Sequence, residues 1–202
     1  PAMLKRNSPI VWIIIAGVML GVGIGLYQLV RPAKGRSWRV VEWIRNPSAH
    51  PDWSVQAGKR CSSAAPFVMP TDGLIGFLWD DSFRIGHRHS GIDIFGGTQV
   101  GKTPVVAAYP GYLTRLPDWK SAVIVRLPSD PLQPGRQIWL YYTHMADPNG
   151  NSFISPDFPP GTSEKAIEAG TLLGYQGNYT GDAANPSGVH LHFSIVLDDG
   201  KG

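Results

Sequence analysis

Val189-His-Leu-His-Phe-Ser-Ile-Val-Leu197 alternates its side chains with a period of two and is rich in β-branched and aromatic residues. In an extended chain, successive side chains point to opposite faces. Leu191, Phe193 and Ile195 are therefore expected to fill a core from one face of a strand. His190 and His192 are then expected to project together from the other face.

The same texture runs upstream to Pro66. Residues 67–69, 74–77, 90–95, 104–108, 111–116, 122–127, 137–144 and 171–175 read as further short strands, and 163–169 as a helical turn. Turn sequences such as Gly96-Gly97 and Tyr109-Pro-Gly111 separate them, and 24 glycines and 18 prolines favour many turns over a helical bundle. The expected fold is all-β, an antiparallel sheet or barrel-like domain. Two long polar stretches, 145–163 and 176–188, are candidates for loops that wall an open groove. Asn178, Asp182 and the glycines of the second stretch read as turn formers.

Ahead of this domain, residues 10–30 are apolar apart from Gln28, and no charge stands between Arg6 and Arg31. Such a run matches the roughly 20 residues of a membrane-crossing helix, with Trp12 and Tyr27 near its ends. It is longer than a signal-peptide core and leads into Arg31-Pro-Ala-Lys34 rather than a cleavage site, so an uncleaved transmembrane helix is expected. The chain divides accordingly into an anchor over 1–30, a juxtamembrane linker over 31–65 and the β domain over 66–202. Within the linker, 38–44 reads as a short helix or strand. Gly17, Gly21 and Gly25 recur every fourth residue, a spacing that suits a homodimer through the membrane helix. The expected location is the cell membrane, single-pass, with the domain facing the periplasm or the exterior. Lys5 and Arg6 before the segment, against Arg31, Lys34, Arg36 and Arg39 after it, run against that orientation; the chemistry of the site argues for it. Met3 reads as the natural start, behind two added residues.

The net charge of +3 is mild and sits largely beside the apolar segment, so no nucleic-acid partner is expected. Cys61 is the only cysteine. It excludes an internal disulfide and a thiolate zinc site, and reads as an inert thiol. A metal in this chain must be held by imidazole and carboxylate.

Those groups are present in patterns. His89 and Asp93 are four apart in His89-Ser-Gly-Ile-Asp93, which puts them on one face of a strand with Gly91 between them. His190 and His192 share a face, and His144 ends the run Trp139-Leu-Tyr-Tyr-Thr-His144. A catalytic zinc site keeps three protein ligands and one open position, and imidazole with carboxylate suits that ion. A hydrolase also needs a proton acceptor and a donor to a developing oxyanion. Five groups meet the need: His89, Asp93, His144, His190 and His192. Spacing alone leaves open which of them bind metal.

Several blocks resemble the lysostaphin/LytM-type zinc endopeptidases, which cleave peptide stems or cross-bridges of peptidoglycan. They are Phe67-Val-Met-Pro-Thr-Asp-Gly73, His89-Ser-Gly-Ile-Asp-Ile94, Val105-Val-Ala-Ala-Tyr-Pro-Gly111, Tyr142-Thr-His-Met145, Ala169-Gly-Thr-Leu-Leu-Gly174 and Gly188-Val-His-Leu-His-Phe193. Their order and spacing across about residues 66–199 carry the likeness. It implies one Zn2+ held by His89, Asp93 and His192, with His190 as general base and His144 positioning water or stabilising the tetrahedral intermediate. It also implies a peptidoglycan peptide as substrate and an antiparallel β domain with the metal at the floor of an open groove. The tyrosine that some members place before the first ligand is not here; Asp80, Asp81 and Phe83 occupy that region. His87 reads as a groove-edge residue, Tyr179 as a substrate contact, and Tyr141 and Tyr142 as packing. The family continues beyond the turn at Leu197-Asp-Asp-Gly200 with a short strand, so a C-terminally incomplete fragment is expected. The competing function is a non-catalytic domain of the same fold that binds cell wall or activates an amidase.

Overall fold

The structure is a computed structural model that describes residues 9–30, 36–81, 86, 88–97 and 99–200 (for 9–11, 14, 25–30 and 36, the backbone alone). Two α-helices, α1 (Pro9–Val30) and α2 (Arg36–Arg45), precede ten strands. These are β1 (Ser54–Val55), β2 (Gly73–Phe77), β3 (Ile92–Phe95), β4 (Pro104–Val106), β5 (Gly111–Thr114), β6 (Val123–Leu127), β7 (Ile138–Thr143), β8 (Lys165–Ile167), β9 (Leu172–Tyr175) and β10 (Leu191–Leu197). Eight form one antiparallel sheet in the order β1-β2-β3-β10-β7-β6-β5-β8, and β4 pairs with β9 in a second. The large sheet ends on β1 and β8 and does not close, so it is an open sheet where a barrel-like closure was one expectation.

Alternation builds the core. Ile138, Leu140 and Tyr142 of β7 are fully buried and meet Val125 of β6, with Val105 and Leu173 supplied by the small sheet. The opposite face of β7 carries Trp139, Tyr141 and Thr143, which are only half-buried. That face is continuous with Asp93 and His192 through the register of β3, β10 and β7. Tyr142 is packed as expected, its hydroxyl oxygen accepting the Ala108 N–H at 2.8 Å. Gln176, fully buried, ties the elements together: its amide donates to Thr71 Oγ1 at 2.9 Å and accepts from the Gly96 N–H at 3.0 Å.

Three strand expectations change. Residues 67–69 lie between Pro66 and Pro70, which cannot donate to a ladder, and form no strand. The helical turn expected over 163–169 is instead edge strand β8, paired with β5. In β10, Ile195 is 44% exposed rather than buried, because β3 pairs only as far as Phe193 and the remainder of β10 is bonded to β7 alone.

Segment 38–44 resolves to helix. Val40 and Trp43, three residues apart and so on one side of α2, are 5% and 4% exposed and pack on Leu74 and Phe95. The Arg39 guanidinium lies 4.5 Å from the Trp53 ring, which His50 stacks at 3.9 Å.

The apolar N-terminal run does form a helix, α1, and its described side chains from Trp12 to Ile24 are exposed. The single-pass membrane anchor is nonetheless corrected: among the described residues, no helix is long and apolar enough to cross a membrane. The expected location in a cell membrane falls with the anchor. Gly25 of the proposed dimer stripe is described by its backbone alone.

Candidate metal centre

Strands β3 and β10 are neighbours, with Asp93 directly opposite His192 in register. Both side chains therefore leave the same face of the sheet. His89 reaches that face from the segment before β3, where its backbone exchanges hydrogen bonds with residues 80 and 81: Asp80 N–H to His89 O at 2.9 Å and His89 N–H to Asp81 O at 3.0 Å. Gly91 makes this approach possible. A Cβ there would meet the Phe193 carbonyl and stand 2.5 Å from Ser194 Oγ.

The result is a triangle of ligand atoms. His89 Nε2 is 3.0 Å from Asp93 Oδ1 and 3.0 Å from His192 Nδ1, and His192 Nδ1 is 2.9 Å from Asp93 Oδ1. Partners on the far side of each ring set its tautomer. His89 Nδ1 lies 2.9 Å from the Leu78 carbonyl, which can only accept, so that nitrogen carries the hydrogen. Ser194 Oγ donates to the Ser90 carbonyl at 2.7 Å and accepts from His192 Nε2 at 3.0 Å. Each ring thus ties one nitrogen outward and turns the other toward the carboxylate.

His190 and His144 repeat the pattern beside the triangle. His190 Nδ1 donates to the Gly188 carbonyl at 2.7 Å, leaving Nε2 bare at 3.6 Å from Asp93 Oδ1. His144 Nδ1 donates to the Tyr179 carbonyl at 2.6 Å, and its ring stands 4.4 Å from that of His190 and 6.3 Å from that of His192. His144 reaches this position against the parity of β7, which would aim residue 144 into the core with Tyr142. A backbone φ of +72° turns it onto the groove face instead. Such a conformation is uncommon for a residue with a Cβ and concentrates at functional sites. The loops expected as groove walls meet here, the Ala146 carbonyl accepting from the N–H groups of Asn178 and Tyr179. Gly177 allows the contact: a Cβ would strike Ala146 O and lie 2.5 Å from His144 O. Its role is close approach, not the turn geometry expected.

Burial sets the electrostatics. His89, Asp93 and His190 are 5%, 7% and 6% exposed. Burial would raise the Asp93 carboxyl, but the surrounding imidazoles, His192 first and then His190 and His89, favour its ionised form and hold it below the usual carboxylate range. Burial pushes His144 down to about 4, with His190 adding to the effect and the Tyr179 carbonyl opposing it. His190 is also pushed down, by burial first, against the pull of Asp93. The two imidazoles beside the triangle are accordingly neutral at pH 7.

Three lone-pair atoms about 3 Å apart repel one another unless a proton or cation lies among them. Two imidazole nitrogens and one carboxylate oxygen, each ring oriented by a bond from its other nitrogen, are the donor set and outer support that a zinc ion takes. His89, Asp93 and His192 could hold a metal ion. All five groups singled out in the sequence come together. Phe83 and His87 lie outside the described residues. The sequence reading missed the supports: Ser194 and the carbonyls of Leu78, Gly188 and Tyr179. Ser194 alone had a signal, being two residues beyond His192 on the same strand face.

No family model matches the chain, and no curated protein matches it. Solved structures do. The catalytic domain of the antimicrobial peptidase lysostaphin from Staphylococcus simulans is 18% identical with a TM-score of 0.42, over 61% of this chain and 80% of that one. A protein from Ruminococcus gnavus described as a glycyl-glycine endopeptidase LytM is 25% identical with a TM-score of 0.38, over 56% of this chain and 41% of that one. A protein from Pseudomonas aeruginosa described as a peptidase M23 is 20% identical with a TM-score of 0.36, over 79% of this chain and 56% of that one. The solved structures similar to this chain are thus of the lysostaphin, LytM and M23 peptidase kind, the kind that its motifs resemble.

Proposed function

We propose that this chain is a zinc-dependent endopeptidase that hydrolyses peptide bonds in peptidoglycan stems or cross-bridges. The observation that carries the reading is the triangle of His89 Nε2, Asp93 Oδ1 and His192 Nδ1, with the N–H of each ring tied outward. Those three residues would hold the ion. A zinc ion held there supplies Lewis-acid chemistry, polarising a scissile carbonyl and making water acidic enough to attack near pH 7.

The remaining steps belong to the chain's own groups. Neutral His190, with Nε2 bare and Nδ1–H on the Gly188 carbonyl, accepts the proton of the attacking water and stabilises the resulting imidazolium through Asp93. His144, neutral and pinned by the Tyr179 carbonyl, orients that water and, once protonated by relay from His190 across the 4.4 Å between their rings, faces the developing oxyanion. The half-buried row of Thr143, Tyr141 and Trp139 extends the floor away from the triangle, where an extended peptide would lie. The names of the similar structures, an antimicrobial peptidase and a glycyl-glycine endopeptidase, support a peptide as substrate.

Zinc content of the purified protein, together with mass spectrometry of digested cross-linked peptidoglycan, tests the proposal. The expected result is one zinc per chain and released muropeptides with a newly cut peptide bond. Protein that retains no zinc and releases nothing refutes it.

A further inference from the structure

We propose that Phe95, backed by helix α2, is the positioning residue for the His190 ring, which makes the helix ahead of the β domain a working part of the site. The inference rests on His190 acting as the base. Phe95 ends β3, is 5% exposed, and stacks on His190 with ring centroids 5.1 Å apart and planes 24° from parallel. The bond to the Gly188 carbonyl holds one edge of the imidazole, and a single hydrogen bond leaves the ring plane free to swing about it. The Phe95 stack limits that swing.

Phe95 is itself held from behind. Val40 and Trp43 of α2 share its buried cluster, and Phe77 meets it edge-on at 5.9 Å. The closeness of α2 depends on Gly76, where a Cβ would stand 2.5 Å from Val40 Cγ2 and 2.6 Å from Phe95 Cε2. At Gly188, whose carbonyl holds His190, a Cβ would stand 3.6 Å from Phe95 Cε1 and 4.0 Å from Ile44 Cδ1. Both anchors of the His190 ring, the stacking face and the carbonyl, therefore adjoin the helix. A base must be held within a fraction of an ångström of its productive place, and α2 supplies that restraint.

The test compares zinc-loaded wild type with Phe95→Leu, which keeps an apolar side chain and loses the ring, and with Gly76→Ala, which displaces Phe95 or α2. Ile138→Val serves as a control that trims the main core remote from His190. Zinc per chain, kcat and KM on cross-linked muropeptide, and the His190 tautomer by long-range 1H–15N NMR are measured together. For Phe95→Leu, kcat is expected to fall about 10- to 100-fold with KM within about twofold and zinc retained. The single Nδ1–H signature of His190 should give way to an averaged one. Gly76→Ala should move in the same direction, and Ile138→Val should leave kcat unchanged; if Gly76→Ala does not fold, Phe95→Leu decides. A Phe95→Leu enzyme with wild-type kcat, or one whose loss of kcat only follows lost zinc, overturns the inference. If the wild type neither holds zinc nor cleaves, it is the proposed function that fails. The NMR comparison still decides the positioning role, and an identical His190 signature in the two proteins overturns it.

Discussion

Replacing Ser194 by alanine isolates the support of one proposed ligand without touching the ligand itself. Ser194 is 6% exposed, accepts from His192 Nε2 at 3.0 Å and donates to the Ser90 carbonyl at 2.7 Å. Deleting the hydroxyl leaves His192 without its outward partner, so the ring can rotate and its Nδ1 no longer faces Asp93 by default. Loss of such an outer partner weakens metal binding about 10- to 100-fold, roughly 1.4 to 2.7 kcal/mol. The same deletion leaves a carbonyl and a ring N–H unsatisfied near the core, which costs the zinc-free protein about 1–3 kcal/mol. Competition against a chelator of known affinity reads the first quantity, and urea denaturation of zinc-free protein reads the second. A Ser194→Ala protein whose zinc affinity stays within about twofold of wild type refutes the reasoning, whatever its stability, because the hydroxyl would then not orient a ligand.

Asp93→Ala removes the carboxylate that forms two of the three edges of the ligand triangle; zinc per chain should fall close to zero by elemental analysis, with muropeptide release abolished. His190→Ala should keep zinc while kcat falls about 10²- to 10⁴-fold, the usual size of a lost general base. Zinc-free protein should lose stability as pH falls. The His144 pKa is about 4 in the fold against 6.5 unfolded, so the unfolded chain takes up the proton first; the contribution is full above 6.5 and about 3 kcal/mol is lost by pH 4. Chemical denaturation across that range should show a shallower slope in His144→Gln, and an unchanged slope counts against a neutral, half-buried His144. Gly177→Ala drives a Cβ into the Ala146 carbonyl and should cost about 1–3 kcal/mol, read as a lowered thermal midpoint.

Where the sequence reading and the fold part, the cause is a neighbour that local pattern does not contain. Ile195 has the parity of a core residue, yet it is exposed because β3 stops pairing at Phe193. Residues 165–167 lack a clear strand pattern and become β8 because the edge of β5 offers free backbone groups. Helix α2 appeared to belong to a linker, since nothing in Val40 and Trp43 says that Leu74 and Phe95 await them. The apolar run over 10–30 reads as a membrane span from hydropathy, and that reading is corrected because no helix among the described residues is long and apolar enough to cross a membrane.

The resemblance of its motifs implied that His89, Asp93, His144, His190 and His192 belong to one site, and the sequence by itself determined an antiparallel β fold with His89 beside Asp93 and His190 beside His192 on a strand face. It could do so because strand parity is local: residues two or four apart share a face whatever surrounds them. Only the tertiary structure decided how those side chains are aimed. The positive φ of His144, the Ser194 relay to Ser90, the carbonyls of Leu78, Gly188 and Tyr179, and the Phe95 stack on His190 all join segments far apart in the chain. Orientation depends on contacts between such segments, and no periodicity along one strand encodes them.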